Sequence, residues 1–273
     1  MRLPAFFGVH ASPSPWMGRF LAIAPFVILI VVYLTASHVR LSENPDDEIL
    51  PSVAQMADAV DRLAFTRDPR SGELVMLQDT LSSLKRLALG IGLAAVSGLL
   101  LGMNMALFPG MGITLIGIVT FVSIVPPLAV LPILFITFGV DELAKVMLIF
   151  LGTFPLITRD IYGTVKAMPR EQLTKALTLG AAELQVVYRI VLPQVMPRLI
   201  DTIRLSLGGG WLFLIAAEAI ASTDGLGYRI FLVRRYLAMD VIIPYVLWIT
   251  FLGFSFDWLL RRILQRRYRW YQS

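Results

Sequence analysis

The stretch from Glu171 to Pro193, EQLTKALTLGAAELQVVYRIVLP, stands between long apolar runs, yet it is charged, helix-prone and too polar to sit in lipid. From Arg170 to Leu179 good helix formers carry Leu173, Ala176, Leu177 and Leu179 as an apolar set. Gly180 interrupts, and from Ala181 the pattern resumes with Leu184, Val187 and Val191. The spacing predicts helix, glycine break, helix. Pro169 can start the first helix, and Pro193 is expected to end the second. Gly180 permits a positive φ without a Cβ penalty, so two short amphipathic helices meet at an angle and form a compact knob. Such a knob must bury its apolar side. It either packs under the rest of the chain or offers that side to a partner as a helix for a groove, and periodicity does not choose.

What surrounds the knob decides where it sits. Hydrophobic residues make up 57% of the 273, charged residues 16%, and the mean hydropathy is strongly positive. The apolar residues come in blocks long enough to cross a bilayer, each about 20 residues. The expected fold is therefore an all-α integral membrane protein with six transmembrane helices: about Phe20–Ser37, Leu81–Phe108, Ile113–Phe138, Leu143–Val165, Leu199–Ala221 and Val241–Leu260. No cleavable signal peptide is expected, because the first run is long and lacks a small-residue cleavage site. Cysteine is absent, which excludes disulfides, thiolate metal sites and thiol nucleophiles. His10 and His38 lie outside the spans without partner spacing, so no metal centre is expected.

Six spans put both termini on one side. The tail RRILQRRYRW carries Arg261, Arg262, Arg266, Arg267 and Arg269 without an acid, whereas the connection from His38 to Asp79 is acidic on balance. The positive-inside rule then makes both termini cytoplasmic, and with them the basic segment from Lys166 to Arg198. The expected divisions are a cytoplasmic segment 1–19, a first span 20–37, a periplasmic connection 38–79, a permeation core 80–262 containing the loop 166–198, and a basic tail 263–273. Within the connection, Val53, Met56, Ala57, Val60 and Leu63 recur at helical spacing, which predicts a short helix on the membrane or against the bundle.

Ionisable residues at membrane depth usually face the bundle interior or a watery cavity, so each is a candidate for a solute pathway. Lys85 and Arg86 lie about 6 to 9 Å below the outer edge of the second span, and Glu218 lies at comparable depth in the fifth. Snorkelling accounts for the two cations equally well. Arg86 and Glu218 are expected to pair or to share a vestibule near the outer mouth. Asp257 has Arg261 at i+4, and a surface pair accounts for both. Pro126 and Pro127 interrupt the third span, with Pro132 following, and freed carbonyls are tolerated in lipid only against protein or water. A broken helix there can line a pathway. Trp211, after Gly208 to Gly210, either touches that pathway or fills a packing gap. Gly98 and Gly102 give a small-residue packing face.

Several stretches resemble one family. TKALTLGAAELQVVYRIVLP is similar to the cytoplasmic loop motif of ABC importer permeases, whose usual form is Glu-Ala-Ala, three residues, Gly, nine residues, Ile, one residue, Leu-Pro. Ala176, Gly180, Ile190, Leu192 and Pro193 fall at matching positions, while Thr174 and Lys175 replace the usual Glu and Ala. SLKRLALGIGLAAVSGLLLGMNMAL, VPPLAVLPILFITFGV and LGGGWLFLIAAEAIASTDGLGYRI resemble the nitrate, sulfonate, taurine and bicarbonate branch of those permeases. The resemblance implies a type I importer architecture in the bacterial inner membrane. It also implies a coupling helix at Ala176, Gly180, Leu184, Ile190, Leu192 and Pro193 seated in an ABC ATPase, a periplasmic or tethered solute-binding protein, and a second permease copy, expected as a homodimer. Its solutes are small and mostly anionic. The chain itself has no GxxxxGK[ST] loop, so ATP and Mg²⁺ are expected on the partner ATPase and no cofactor or catalytic residue in this chain. Nucleic acid is not an expected partner. The alternative is a secondary transporter driven by an ion gradient, which would need membrane-centre carboxylates and an inverted second bundle, neither evident here.

Overall fold

A computed structural model of the protein describes residues 14–45, 47–69 and 72–271. His10 and the ends of the two terminal segments lie outside the described residues. Every regular element among the described residues is helical. Ser14 caps α1 (Pro15–Glu43) by accepting from the Met17 N–H at 3.3 Å. This helix touches the rest of the chain at one end: Tyr33 donates to the Pro51 carbonyl at 2.6 Å and Ser37 to that of Leu50 at 3.0 Å. Its Phe26, Ile28 and Leu29 point outward. The acidic connection contains α2 (Val53–Val60), opened by a capping box of Ser52 and Gln55, and this helix lies against the chain's last long helix with Ala59 buried.

The first half of the bundle is α3 (Val75–Leu107), α4 (Pro109–Ile124), α5 (Pro127–Phe138) and α6 (Glu142–Lys166). Glycine sets how closely α3 and α6 approach. A Cβ on Gly90 would lie 2.6 Å from the Ile149 Cβ, one on Gly98 2.9 Å from the Ile157 Cγ2, and one on Gly102 2.7 Å from the Thr158 carbonyl oxygen. No larger residue fits that face without the helices parting, which is how small residues drive packing in lipid.

The third expected span is not one rod. Pro126 and Pro127 separate α4 from α5, and the two helices diverge by 97°. At 1.5 Å per residue they are about 24 and 18 Å long, so neither alone crosses a hydrocarbon layer of about 30 Å. Five other helices have the length and hydropathy to span.

The knob follows as α7 (Arg170–Thr178) and α8 (Glu183–Val186), and α9 (Leu192–Ala221) leads away from it. Pro193 does not end the second helix, contrary to the sequence expectation. Residues 187–191 form a π turn in which the Leu192 N–H reaches the Val187 carbonyl, and helix runs without a gap from Glu183 to Ala221. The wider turn makes room for a proline ring that would strike the i−4 carbonyl of an ordinary α-helix. The span edges shift outward elsewhere too: α3 begins at Val75 rather than Leu81, which brings Asp79 onto a helix. The chain closes with α10 (Leu226–Val233) and α11 (Met239–Arg267).

Candidate coupling surface and transmembrane polar cluster

The knob has an inward and an outward face. Gly180 sits at φ +88, and the Ala181 N–H reaches back to the Ala176 carbonyl at 3.1 Å while the Gly180 N–H bonds that of Leu177 at 3.0 Å. These two bonds form a Schellman termination, which needs a residue tolerant of positive φ at this position. Inward, Val186 and Val191 are buried, and Leu173, Ala176, Ala181, Ile190 and Leu192 pack against the same cluster as Ile157, Ile161 and Val195. Outward, Leu177, Leu179, Leu184 and Tyr188 are exposed, Leu179 to 80% and Leu184 to 67%. The six expected coupling residues therefore divide. Ala176, Ile190 and Leu192 seat the knob, and Gly180, Leu184 and Pro193 stay open to a partner. Beside it, Asp160 of α6 takes the Arg198 Nε at 2.8 Å and the Thr202 hydroxyl, fixing the root of α9.

At the other end of α3 the structure brings Arg86 and Glu218 together, with Nη1 to Oε1 at 2.8 Å. Far more converges there than that pair. Arg86 Nε and Nη2 donate to the Glu142 carboxylate at 2.6 and 2.7 Å, Nη1 also to the Asp224 carbonyl at 3.0 Å, and Nη2 to the Asp224 carboxylate. All five guanidinium N–H groups are occupied. Glu218, fully buried, further accepts from the Ser83 hydroxyl and the Gly227 N–H, each at 2.8 Å. One turn up α3, Asp79 receives the Gly225 N–H at 2.9 Å, Arg229 Nε at 2.8 Å and the Tyr245 hydroxyl at 3.1 Å. Lys145 completes the set by reaching Glu142 at 2.8 Å and Ser222 at 3.2 Å.

The segment SerThrAspGlyLeuGly, 222–227, is thus fastened to α3, α6 and α9 by backbone and side chains at once. Gly225 at φ +115 is needed there, since a Cβ would lie 2.6 Å from the Glu218 carboxyl. Asp224 lies outside the spans. Burial would raise its pKa, but hydrogen bonds from Arg86 and Ser82 prevail and hold it below the usual aspartate value. Of the two expected arrangements, a direct pair or a shared vestibule, the structure shows the pair, set in a closed cluster where loop backbone and carboxylates use every N–H of Arg86.

Trp211 is likewise internal. It is 8% exposed among Leu87, Ile91, Leu214 and Tyr245, and its indole N–H has no hydrogen-bond partner among the described residues. Pro127 differs. It lines an open cavity of about 410 Å³ with Ser123, Gly152, Pro155 and Arg159, where α4 breaks from α5 against α6. Pro126 stands exposed at the same break.

With this geometry in view, comparison with known proteins decides the family. Residues 90–270 match the model of the binding-protein-dependent transport system inner membrane component. The chain belongs to that family. As a member it is a transmembrane subunit of an importer, and relatives are named as permease proteins of transport systems. The Escherichia coli (strain K12) taurine transport system permease protein TauC is 30% identical over 252 residues, covering 92% of this chain and 90% of the relative. The bicarbonate transport system permease protein CmpB of Synechococcus elongatus is 29% identical over 192 residues, covering 68% and 69%. The fold is shared with solved ABC transporters. A bacterial alginate transporter matches at TM-score 0.58 and 11% identity over 92% of this chain and 96% of its own. The methionine transporter MetNI matches at 0.55 and 19% over 67% and 93%.

For an importer permease, sequence reasoning missed four residues that the structure makes prominent. Asp79 falls in the expected connection 38–79, although Asp79, Ser83 and Arg86 stand at i, i+4 and i+7 and share a helix face. Asp224 follows Ser222 in a turn-forming STDG run that signals a loop, but nothing in the run names its partners. Tyr188, beside the apolar Val187 of the knob, projects outward. Arg159 lies within the expected span Leu143–Val165, where its charge at depth is the signal that marks it. Asp257, expected to pair with Arg261, does so at 3.2 Å and also takes Arg204 Nε at 3.0 Å.

Proposed function

We propose that this chain forms the membrane path of an importer for a small anion, in the class of taurine, other sulfonates, nitrate and bicarbonate. In this reading a cytoplasmic ATPase drives it by gripping the 170–193 knob. The observation that carries the coupling role is the knob's divided surface: one apolar face is seated, and another, Leu177, Leu179, Leu184 and Tyr188, is left exposed by the described residues. Exposed leucines on a polar helix pair outside the spans are costly unless a partner buries them. An amphipathic helix offered in this way fits a groove. The names of the relatives support the anion class, and the basic end of α11 supports a cytoplasmic knob.

ATP and Mg²⁺ belong to the ATPase, a solute-binding protein delivers the anion, and a second permease copy, the same chain in a homodimer, completes the path. ATP binding draws two knobs together, and the continuous helix from Glu183 to Ala221 transmits the movement into the bundle. The decisive test is copurification of the cognate ATPase with the Leu184→Asp variant. The ATPase should be lost while the permease still inserts. Full retention of the ATPase and of solute-stimulated hydrolysis would end the coupling assignment.

A further inference from the structure

Arg159 is a cation within a span, in α6, about 10 Å along the helix from Lys166 and about 25 Å from Glu142. Such a group snorkels to headgroups, pairs with an acid, or faces a watery cavity. Pairing is absent: no carboxylate among the described residues lies within ion-pair distance of it, and its neighbour Asp160 is taken by Arg198 and Thr202. Snorkelling along α6 is opposed by a specific contact. The Ser123 hydroxyl donates to the Thr120 carbonyl at 2.7 Å, which leaves its oxygen free to accept from Arg159 Nη1 at 2.9 Å. That bond holds the guanidinium toward the end of α4, where the chain breaks at Pro126 and Pro127.

The cavity at this break is lined by Arg159 and Ser123 together with apolar Val125, Leu151 and Leu156, and by Asp160, whose carboxylate is held by Arg198 and Thr202. Its volume of about 410 Å³ lies at the small end of the range for ligand sites. One N–H of the guanidinium is used by a neutral hydroxyl, and the remaining donors are available in the flat fork that suits sulfonate, nitrate or carboxylate oxygens. We propose that Arg159, held by Ser123 over the broken helix pair, receives the solute's anionic head group inside the membrane. This rests on the anion-importer reading above, and it adds where the anion is held and by which residue.

The test uses the complete complex of permease, ATPase and binding protein in proteoliposomes, with labelled taurine, ethanesulfonate and nitrate as probes. The wild type should show ATP-dependent uptake of at least one. Arg159→Gln should lower that uptake by about tenfold or more, the scale of losing a charged hydrogen bond, with the ATPase still copurifying. Because the chain has no cysteine, Arg159→Cys creates a single thiol in the permease. Attaching an aminoethyl group by a methanethiosulfonate reagent should recover uptake, whereas attaching a sulfonatoethyl group should not. Recovery by both reagents, or uptake by Arg159→Gln indistinguishable from wild type, would overturn the assignment of Arg159 alone. Failure of the wild type to move any of the three probes would overturn the anion reading itself, and this inference with it.

Discussion

Arg86 and Arg159 are both arginines within apolar helices, and their surroundings are opposite. Arg86 is 2% exposed, with every N–H on a carboxylate or carbonyl. Arg159 is exposed and held by one hydroxyl at the mouth of a cavity. Satisfaction separates a fastener from a receptor: a saturated guanidinium has no interaction left to give a passing solute, and an unsaturated one has a reason to be where water and ions reach it. Depth and charge alone do not tell the two arginines apart; the count of their partners does.

The largest effect should come from breaking the fastener. Arg86→Met would leave Glu218 fully buried without its cation, a loss of about 3 to 5 kcal/mol for a buried pair with one partner removed. The expected outcome is a sharp fall in folded protein in the membrane and in its unfolding midpoint in detergent. Arg86→Met with Glu218→Leu should recover part of the loss, since no uncompensated charge then remains. Arg159→Gln in the same assay should leave the midpoint where it is. Equal destabilisation by the two single variants would erase the distinction between the residues.

Next in size is the loop glycine. Gly225→Ala places a methyl group against the Glu218 carboxyl and the Arg86 guanidinium at a φ that side chains avoid, at a cost of about 1 to 3 kcal/mol. Gly180 offers the controlled contrast, because its Cβ would meet nothing within 4 Å. Gly180→Val should therefore carry only the backbone penalty, about 1 to 2 kcal/mol, and insert normally. It should nonetheless uncouple ATP hydrolysis from solute, because it changes the angle at which Leu184 and Tyr188 are presented. A Gly180→Val complex with normal solute-stimulated ATPase activity would count against the knob as the handle.

What could be read from the sequence divides along the same physical line. Local chemistry was legible: the glycine break of the knob, the interrupted third span, the glycine face of α3 and the pairing of Arg86 with Glu218 follow from spacing, proline and charge at depth. Partner counts were not. Whether a guanidinium is saturated depends on a loop 138 residues away in sequence, whose Asp224 backbone and side chain reach Arg86, and spacing carries no record of such a closure. Pro193 misled for a related reason. A π turn absorbs it, flanked by Val186 and Val191 buried against the bundle, and that packing is tertiary. Helix α3 starts before its apolar run does, so Asp79 fell outside the expected span although its three partners make it as fixed as any core residue.

The smallest effect concerns acid. Asp224 is held below the ordinary aspartate value by Arg86 and Ser82 against its own burial. A carboxylate depressed in the folded state adds stability that is fully present above its unfolded pKa, about 3.9, and is lost as pH falls through the lower folded value. Between pH 8 and 5 the loop should therefore hold unchanged, and only below about pH 4 should its grip on Arg86 slacken. With its side chain 30% exposed, the contribution is about 1 kcal/mol or less at neutral pH. Asp224→Asn should bring that loosened state to neutral pH, seen as faster hydrogen exchange of the Gly225 and Leu226 amides, and should flatten the acid limb of the exchange profile. Arg86 keeps Glu218 and Glu142 in that variant, so the helices stay joined while the loop is released. An acid limb as steep in Asp224→Asn as in wild type would mean that the loop is fastened by Asp79 and Glu218 and that Asp224 only covers them.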